Sequence, residues 1–598
     1  MAIPTDHSDI PLAIIGMGCR LPGADDLDQY WELVSQGRSA IAEVPANRLD
    51  QSIYYDPVKG VRGKTYSKMA ALLQKRPTDF DRYPIPEALR SLADPMHLTM
   101  TAVAADALRQ AGLDPFNLPH KNSAVFIGHA VGSSQLRNLT YGSLLDEALA
   151  ILGGVEALKD IGPLERQALI AETRAKILGE LGVTPVDGRD LYCNMVAGTV
   201  SKAFGLTGPW LALNSACASS LHAMLMGARA LQQGRVDMVI AGGASDCNAH
   251  TLVLFSHAQA MSSNSSRPFD ADADGLIMSE GYVAVVMKTL ERALADGDPI
   301  QAVVRGLGVA TDGRGKSLWA PRKEGQIKAM QRAYRSGVDM AGLQYLECHA
   351  TATQLGDATE LETLGEVLGP KLPKGKQIAI TSVKANIGHS LEAAGVAGLI
   401  KTVLCMQHGT IPPAINISKL NPKVDWNSAP YYIPQAAASW AAPAGGEPRR
   451  AAVNAFGIGG LNMHVVIDQF NETYHRKLLA SRGSQAKTLA AKNGTHLPAT
   501  GSAQQNGTHA PAARNGAAEP HVSAETAEDR AIAIIGMGCI FPGAEGLGQF
   551  WDRLKSGDDP KSAPAEPRWS SLALSLVHGK PLVGGFITDF EYNWRKHK

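Results

Sequence analysis

The stretch Asn214–Ser–Ala–Cys217–Ala–Ser–Ser220 is a run of small residues around a single thiol. The preceding residues, 210–213, are apolar and predict the end of a buried strand. The following residues place apolar side chains at the i, i+3, i+4 and i+7 positions of a helix that faces a core, namely Leu221, Met224, Leu225, Ala228 and Leu231. A second apolar strand is predicted at Met238–Ala241. Cys217 is therefore predicted to lie at a strand-to-helix turn.

The position of Cys217 fits two different roles. At such a turn, the unpaired N–H groups and the positive dipole end of the helix favour the thiolate over the thiol. This environment predicts a cysteine nucleophile. The same local sequence also fits a buried free cysteine that packs as a small apolar side chain, so residues elsewhere in the chain have to distinguish the two roles.

Two histidines follow predicted strands and precede predicted helices. Residues 345–349 read Tyr-Leu-Glu-Cys-His, a strand that ends at His349. A second strand at Ile378–Ser382 leads into Lys384–Ala–Asn–Ile–Gly–His389. Active-site residues of α/β folds often occupy such positions. His349 and His389 are therefore candidate partners of the thiol.

The composition indicates a globular protein with a sizeable core and no nucleic-acid function. Of the 598 residues, 45% are hydrophobic and 19% are charged, while Lys+Arg and Asp+Glu balance at 57 each. There is no basic surplus, and no apolar run approaches the ~18 residues that a membrane span needs. The seven cysteines are scattered without a Cys-x-x-Cys pair. This usage predicts a reduced, cytoplasmic protein with no metal site.

The opening segment of the chain occurs twice. Ala13–Ile–Ile–Gly–Met–Gly–Cys19 is repeated intact as Ala533–Cys539, and the similarity continues through Trp31 and Trp551. A cleavable secretion signal would not be repeated inside the chain. The Gly-x-Gly pair also lacks the third glycine of a dinucleotide-binding loop. We therefore expect the first strand and first helix of a folded unit, present twice.

The composition changes between the two copies, where Ala, Ser, Thr, Asn, Gln, Gly, His and Pro predominate. Such a stretch offers little apolar surface to bury and cannot offset its ordering entropy, so we expect a flexible linker at 471–529. The linker separates a complete unit at 10–470 from the start of a second unit at 530–598. Because the second copy stops before any equivalent of Cys217, we expect the chain to be a piece of a longer polypeptide.

Taken together, the motifs resemble those of the β-ketoacyl synthase (ketosynthase) domain of type I polyketide and fatty-acid synthases, including the polyunsaturated fatty-acid type. Asn214–Ser220 resembles the family's Asp-Thr-Ala-Cys-Ser-Ser-Ser, His349–Thr353 its His-Gly-Thr-Gly-Thr, and Lys384–His389 its Lys-x-Asn-x-Gly-His. Arg267–Asp270 and Val453–Gly460 also agree, and the motifs keep the family's order.

The resemblance implies an acyltransferase that forms carbon–carbon bonds by decarboxylative Claisen condensation. Cys217 would carry the acyl chain, and the backbone N–H groups of Cys217 and Ile458 would form the oxyanion hole. His349 and His389 would donate Nε2–H to the enolate that remains when a malonyl-type thioester loses CO₂. Lys384 would act electrostatically near the second histidine, with a structural ion pair as an equal alternative. The implied acyl-pocket and gating loop comprises Phe456, Gly457, Ile458, Gly459 and Gly460.

The resemblance also implies the thiolase-like α/β fold, in which two pseudo-repeated βα halves stack as helix–sheet–helix–sheet–helix layers. We expect the first half at 10–260 and the second half at 261–470. The family binds no cofactor of its own, and it receives acyl and malonyl groups on the phosphopantetheine of an acyl-carrier protein or on CoA. The implied partners are the carrier protein, an acyltransferase that supplies malonyl groups, the adjacent second ketosynthase-like unit and a second copy of the chain in a homodimer.

Several positions depart from the family pattern. Ala350 and Ala352 replace glycines, and a Cβ is harmless there only where φ is negative. Ile458 replaces a gating phenylalanine, and Leu461 replaces a small residue of the same loop. These departures predict an unusual substrate pocket or partner surface.

Two alternatives to a condensing enzyme stay open. One is a non-elongating ketosynthase that only transfers or holds acyl chains. The other is a structural subunit that resembles chain-length factors, which keep the fold and lose the nucleophile. Retention of Cys217, His349 and His389 argues against both, and more strongly against the second.

Overall fold

The computed structural model describes residues 10–74, 79–130, 134–181, 192–315, 317, 319–335, 337–492, 533–564 and 583–588. The chain divides into two compact units. The first unit comprises Met1–Arg137 and Thr184–Thr495, and the second comprises Asn138–Val183 and His496–Lys598. Among the described residues, no helix is both long enough and apolar enough to cross a membrane.

A mixed sheet runs through the first unit and carries the elements that place the site. Its strands are β1 (Leu12–Arg20), β2 (Ser123–Gly128), β3 (Trp210–Leu213), β4 (Met238–Ser245), β5 (Gly281–Thr289), β6 (Ala302–Thr311), β7 (Tyr345–Glu347), β8 (Ile378–Thr381), β9 (Tyr431–Tyr432), β10 (Arg450–Phe456) and β11 (Leu461–Asp468). The hydrogen-bonded order is β9-β8-β7-β10-β11-β6-β1-β5-β4-β2-β3.

The sheet consists of two halves with the same pairing pattern. In the first half, β1 is antiparallel to β5, β5 is antiparallel to β4, and β4, β2 and β3 are parallel. In the second half, β6 is antiparallel to β11, β11 is antiparallel to β10, and β10, β7 and β8 are parallel. The halves meet where Leu12–Ile14 of β1 pairs with β6. The two pseudo-repeated βα halves are therefore confirmed.

The predicted boundary between the halves, at residues 260 and 261, is too early. β5, at Gly281–Thr289, pairs with β1 and β4 of the first half, and the second half starts with β6 at Ala302. The strand β5 returns to the first half after residue 260 and lies between β1 and β4 in the sheet. The boundary therefore lies between β5 and β6.

Seven helices of the first unit cover the sheet or lie between its halves: α1 (Leu27–Ser35), α2 (Pro95–Gln110), α3 (Met195–Phe204), α4 (Ser219–Gln232), α5 (Lys323–Ala333), α6 (Gln354–Leu368) and α7 (Ala394–His408). The other helices in the described residues are Gln51–Tyr54, Glu87–Leu92, Ser134–Gly153, Pro163–Leu181, Ala249–His257, Leu290–Asp296, Lys384–Ile387, Glu472–Lys492 and Leu547–Ser556. Short strands form three small sheets: Ala42–Glu43 with Met69–Ala71 and Met278–Ser279, Thr410–Ile411 with Ala438–Ser439, and Lys561–Ser562 with Gly584–Gly585.

Strand alternation produces the layers. In β4, Val239 and Ala241 pack into a central core that also contains residues of α4 and α7 and of β10 and β11. The intervening residues, Met238 and Ile240, pack into an outer core with α2 and α3. A third core joins the outer face of the second half to α5 and α6. Because successive strand residues face opposite sides, this pattern gives the helix–sheet–helix–sheet–helix arrangement of the thiolase-like fold, as expected.

The predicted linker begins as a helix. Glu472–Lys492 is helical, and His475 on its first turn is fully buried, with its Nε2 3.8 Å from a carboxylate oxygen of Asp468 in β11. A buried contact of this kind holds the start of the segment on the first unit, so a flexible linker from residue 471 was wrong. Residues 493–529 lie outside the described part of the chain.

The second copy of the opening segment has the same bridge and helix as the first copy, but it lacks the strand that corresponds to β1. Leu21 and Ala24 form a small bridge that recurs between Phe541 and Ala544, and the helix Leu547–Ser556 corresponds to α1. Residues 533–540 pair with no strand among the described residues, and Ile535 is 98% exposed. In the first copy, β5 and β6 hold β1 in the sheet. The expected second opening strand is therefore not formed.

Gly16 allows α2 to approach β1 closely. A Cβ at Gly16 would lie 2.1 Å from the carbonyl oxygen of Ala107, whereas a Cβ at Gly365 in α6 would meet no atom within 4 Å. Gly16→Ala should lower the free energy of unfolding by ~1–3 kcal/mol because α2 has to move away. Gly365→Ala should raise it by roughly 0.5–1 kcal/mol because alanine favours a helix interior. Denaturant unfolding measures both variants, and equal effects would contradict the assigned packing.

Candidate active site

Cys217 lies in a tight turn between β3 and α4, as predicted. Its side chain is buried, at 3% exposure, and the preceding residue, Ala216, has a φ of 51° in the left-handed region. Ser219 Oγ accepts a hydrogen bond from the Ser215 N–H at 2.9 Å and donates one to the Ala216 carbonyl at 2.6 Å. Asn214 Oδ1 accepts from the Ala216 N–H at 2.9 Å. These polar side chains hold a strained turn that presents the thiol.

The structure brings Cys217, His349 and His389 together. His389 Nε2 lies 3.1 Å from Cys217 Sγ, and the two imidazole rings are edge to face, with centroids 5.5 Å apart. One side-chain donor atom from each of the three residues lies within 4.8 Å of the others. The thiol comes from the first half of the fold and both histidines come from the second, so the site forms only when the halves are packed together.

Each histidine follows a strand of the second half. His349 comes two residues after β7, and His389 follows β8 and the short helix Lys384–Ile387. Gly388 has a φ of 69°, and the next N–H, that of His389, donates to the Ile277 carbonyl at 2.7 Å. A left-handed residue is needed to turn the chain back toward the thiol, and glycine adopts that conformation at little cost.

The buried carboxylate of Glu360 fixes the backbone at His349. Its two oxygens accept hydrogen bonds from the N–H groups of His349 at 2.9 Å and Ala350 at 2.7 Å. Asn454 Nδ2 donates to the same carboxylate at 2.8 Å. Sequence reasoning missed Glu360, although its place among Asp357, Leu361 and Leu364 on the buried face of α6 was a readable signal.

A second buried carboxylate, Glu347, supports the segment that leads to His389. It accepts hydrogen bonds from the Val383 N–H at 2.6 Å and from the Tyr345 hydroxyl at 2.6 Å. Lys401 Nζ lies 2.8 Å from Oε2, the oxygen that also accepts from the Tyr345 hydroxyl, so the charge is paired inside the core. Buried charges are retained where they are paired and hydrogen-bonded. Glu347 therefore links β7, β8 and α7 behind the two histidines.

Lys384 lies inside the protein near these groups. Its side chain is 4% exposed, and burial lowers the pKa of its ammonium group while Glu347 and Glu360 partly oppose that shift. Among the described residues, no carboxylate oxygen lies within ion-pair distance of Lys384 Nζ. Of the two roles considered for Lys384, this geometry favours an electrostatic one.

The resting thiol is protonated, contrary to the sequence expectation. Burial raises the pKa of Cys217 to about 12, and the nearby Glu392 carboxylate adds to that increase. The backbone N–H groups of Ile458 and Cys217 favour the thiolate and lower the pKa, but burial has the larger effect. Burial and Lys384 also hold the pKa of His349 and of His389 well below the usual value. The resting site therefore pairs a neutral thiol with neutral imidazoles.

The glycine-rich loop packs directly on the nucleophile turn. A Cβ at Gly457 would lie 2.5 Å from the Ser215 carbonyl, and the Gly460 N–H closes the loop by donating to the Gly457 carbonyl at 2.9 Å. Ile458 borders an apolar cluster that contains Cys217, Leu391 and other side chains. The Phe456 ring lies 5.6 Å from that of His349. The loop therefore brings a backbone donor and an apolar wall to the thiol.

Ala350 and Ala352 differ in backbone conformation. Ala352 has a φ of 62° and is fully buried, whereas Ala350 does not have a positive φ. The Ala352 carbonyl accepts a hydrogen bond from the Gly275 N–H at 2.9 Å, which helps to hold this conformation. Only Ala352 therefore carries a Cβ where glycine is favoured.

Two protein-family models match the chain. The N-terminal domain of β-ketoacyl synthase matches residues 9–293 and again residues 529–592, and the C-terminal domain of β-ketoacyl synthase matches residues 301–418. The second N-terminal match covers the repeated opening segment. The gap between the two domain matches falls between β5 and β6, at the boundary of the two halves.

Curated relatives and solved structures give the same assignment. A phenolphthiocerol synthesis type I polyketide synthase of Mycobacterium marinum is 34% identical over 466 residues, which are 77% of this chain and 20% of the relative. A mycocerosic acid synthase-like polyketide synthase of Mycolicibacterium smegmatis is 33% identical over 475 residues, which are 78% of this chain and 20% of the relative. The chain thus spans about a fifth of the length of these relatives.

Two ketosynthase structures have a similar fold. An oxazolomycin ketosynthase domain of Streptomyces albus JA3453 is 31% identical with a TM-score of 0.65, and the match covers 77% of this chain and 74% of the other. The ketosynthase from module 6 of the bacillaene synthase of Bacillus subtilis 168 is 30% identical with a TM-score of 0.62, covering 77% and 72%.

Glycine substitutions at positions 350 and 352 should differ in their effect on stability. At Ala350 the substitution adds unfolded-state entropy and should lower the free energy of unfolding by ~0.4–1 kcal/mol. At Ala352 the same loss of stability is offset, because glycine relieves the roughly 1–2 kcal/mol that a side chain costs in the left-handed region. Denaturant unfolding should therefore show Ala350→Gly as the less stable variant. Equal losses in the two variants would contradict the strain at Ala352.

Alkylation of Cys217 by iodoacetamide should accelerate steadily with pH. Because burial raises the pKa of Cys217 to about 12, the thiolate fraction should rise about tenfold per pH unit from neutral pH upward, without a plateau below about pH 10. The rate is measured by peptide mass analysis in a Cys193→Ser background, which removes an exposed thiol. A plateau near neutral pH would show that the site stabilises the thiolate.

Proposed function

The chain belongs to the β-ketoacyl synthase family and contains a ketosynthase domain of the type I polyketide synthase class, and we propose that Cys217, His349 and His389 carry out its carbon–carbon bond formation. The reaction is the condensation of a Cys217-bound acyl chain with a malonyl-type carrier-protein thioester, which gives a β-ketoacyl thioester. The observation that carries the proposal is the 3.1 Å contact between His389 Nε2 and Cys217 Sγ.

The first step loads the acyl chain. Cys217 Sγ attacks the carbonyl carbon of an incoming thioester while the neighbouring His389 donates Nε2–H to the sulfur. The tetrahedral oxyanion is held by the backbone N–H groups of Cys217 and Ile458, whose proximity to the sulfur supports this role. Prearranged donors of this kind lower a barrier by ~2.7–4 kcal/mol each. Collapse breaks the old C–S bond, and the leaving thiolate takes up the proton that the Cys217 thiol releases, so that His389 keeps its Nε2–H.

The second step forms the new bond. The malonyl-type group loses CO₂, and the electron pair of the broken C–C bond gives an enolate. His349 and His389 donate Nε2–H to the enolate oxygen, a role that suits the low pKa that burial gives both imidazoles. The enolate carbon attacks the acyl carbonyl, the bond from that carbon to the Cys217 sulfur breaks, and the released thiolate takes a proton from water. Lys384 adds positive charge near the developing negative charge.

The apolar surroundings of the thiol support an acyl substrate. Ile458, Leu391, Met278 and Phe255 belong to or border the cluster that contains Cys217. Replacing the usual gating phenylalanine by Ile458 keeps the backbone donor and changes only the side chain. We therefore assign substrate gating and pocket shape, rather than bond-forming chemistry, to this departure. The loop Phe456–Gly460 is the proposed acyl-pocket and gating loop.

The proposed condensation requires partner proteins that deliver its two substrates. Substrates arrive on the phosphopantetheine of an acyl-carrier protein or on CoA, with malonyl groups supplied by an acyltransferase, in polyketide or fatty-acid synthesis. A homodimer is supported by the exposed edge strand β3, where Trp210 is 38% and Leu211 44% exposed. A cytoplasmic location would keep the Cys217 thiol reduced. Residues 530–598 are proposed as the start of a second ketosynthase-like unit.

Loading and condensation are separated by one mass experiment. Exposure to an acyl thioester should add one acyl group to the wild type and none to Cys217→Ala, because only this thiol lies beside His389 and the two N–H donors. Addition of malonyl-carrier protein should then remove the adduct and release a β-ketoacyl product. Removal should be at least about 100-fold slower in His349→Ala, which loses a donor to the enolate.

Other outcomes of this experiment would identify the alternative functions. An unmodified wild type across a broad panel of acyl thioesters would contradict the condensing enzyme and favour a structural subunit. An adduct that forms and then persists with malonyl-carrier protein would favour a non-elongating ketosynthase.

A further inference from the structure

The side chains of the candidate site also form a set of metal donors. Cys217 offers sulfur and His349 and His389 offer imidazole nitrogens, with one donor atom of each lying within 4.8 Å of the others. Thiolate and imidazole are the ligands that Zn²⁺ prefers in proteins. We propose that these three residues also bind a thiophilic divalent cation such as Zn²⁺, and that the bound ion prevents acyl loading.

The spacing of the donors suits a tetrahedral ion after a small adjustment. Zn–S bonds of about 2.3 Å and Zn–N bonds of about 2.0–2.1 Å place donor atoms roughly 3.3–3.6 Å apart. The distance between Cys217 Sγ and His389 Nε2 is 3.1 Å, slightly less than this. Binding therefore requires side-chain rotations that bring the three donor atoms, which lie within 4.8 Å of one another, to this spacing. Three protein ligands leave one position for water.

The surrounding charges permit a divalent cation at this place. Lys384 opposes a positive ion at this place, because its positive charge already lowers the pKa of both histidines. The carboxylates of Glu347 and Glu360 raise the pKa of Lys384, and the carboxylate of Glu392 raises the pKa of the Cys217 thiol. Because Lys401 already pairs the Glu347 charge, Glu360 and Glu392 supply the negative charge that offsets Lys384. Binding replaces the thiol proton by the metal, so that one S–H bond breaks, one S–metal bond forms and one proton enters the solvent.

The environment of His389 indicates an exchangeable ion rather than a permanent centre. Histidines of resident metal sites almost always donate their second nitrogen to a carboxylate, a carbonyl or water. Among the described residues, His389 Nδ1 has no hydrogen-bond partner. The site therefore lacks the outer support of a built metal centre. An ion that binds here competes with the acyl group for Cys217, and binding itself does not rest on the proposed condensation.

Cobalt is the probe for this site because Co²⁺ replaces Zn²⁺ and absorbs visible light. Titration of the full chain carrying Cys193→Ser should give one equivalent of a thiolate-to-cobalt charge-transfer band with tetrahedral d–d bands. The bands should be lost in Cys217→Ser and reduced in His389→Gln, and Zn²⁺ should displace them. The apparent affinity should rise about tenfold per pH unit near neutrality, because one proton is released.

Loading provides the second measurement. Zn²⁺ should block the acyl adduct on Cys217, and a chelator should restore it. Thermal melting confirms that each variant is folded. Cobalt bands that survive Cys217→Ser, or the absence of bands from the wild-type thiol, would overturn the proposal. Because the bands are read without any substrate, a failure of condensation leaves this test intact, and a failure of cobalt binding leaves the condensation test intact.

Discussion

The contact between His389 Nε2 and Cys217 Sγ spans the two halves of the fold, and the site depends on it. The thiol follows β3 of the first half, and both histidines follow strands of the second. The central layer of α4 and α7 packs between the halves and brings these strand ends together. A fold built from either half alone would present only a buried cysteine or a pair of histidines. The candidate site is therefore a product of the packing between the halves.

Burial gives the site its protonation state. Removing the thiol and both imidazoles from water favours their neutral forms, and this effect exceeds the help that two backbone N–H groups give the thiolate. The carboxylates of Glu347 and Glu360 stay buried because backbone N–H groups satisfy them and, in Glu347, Lys401 pairs the charge. Both carboxylates accept hydrogen bonds from the backbone segments that carry or precede the two histidines. Neutral imidazoles suit the proposed roles, in which both histidines donate Nε2–H to an enolate.

Sequence patterns predicted the five-layer fold and the thiol and two histidines that the structure brings together, because strand-to-helix turns and small-residue motifs are local signals. The supports of the site were not local. Glu360 contacts the backbone of His349 through α6, and the left-handed φ of Ala352 depends on tertiary contacts that no spacing reveals. The direction of the Cys217 pKa shift was missed because desolvation depends on the whole core. The boundary between the two halves, which lies between β5 and β6, and the helix that begins at Glu472 also depend on packing against strands that are distant in the sequence.

The central claim is a neutral hydrogen-bonded pair across the two halves. Nitrogen-15 NMR of histidine-labelled protein tests it directly, with Cys217→Ser and His389→Gln used to assign the signals. His389 should show the shifts of a neutral imidazole at neutral pH, because burial and Lys384 hold its pKa well below the usual value. Those shifts should move when Cys217 is replaced by serine. An imidazolium signature for His389 at neutral pH, or shifts that ignore Cys217, would contradict the account.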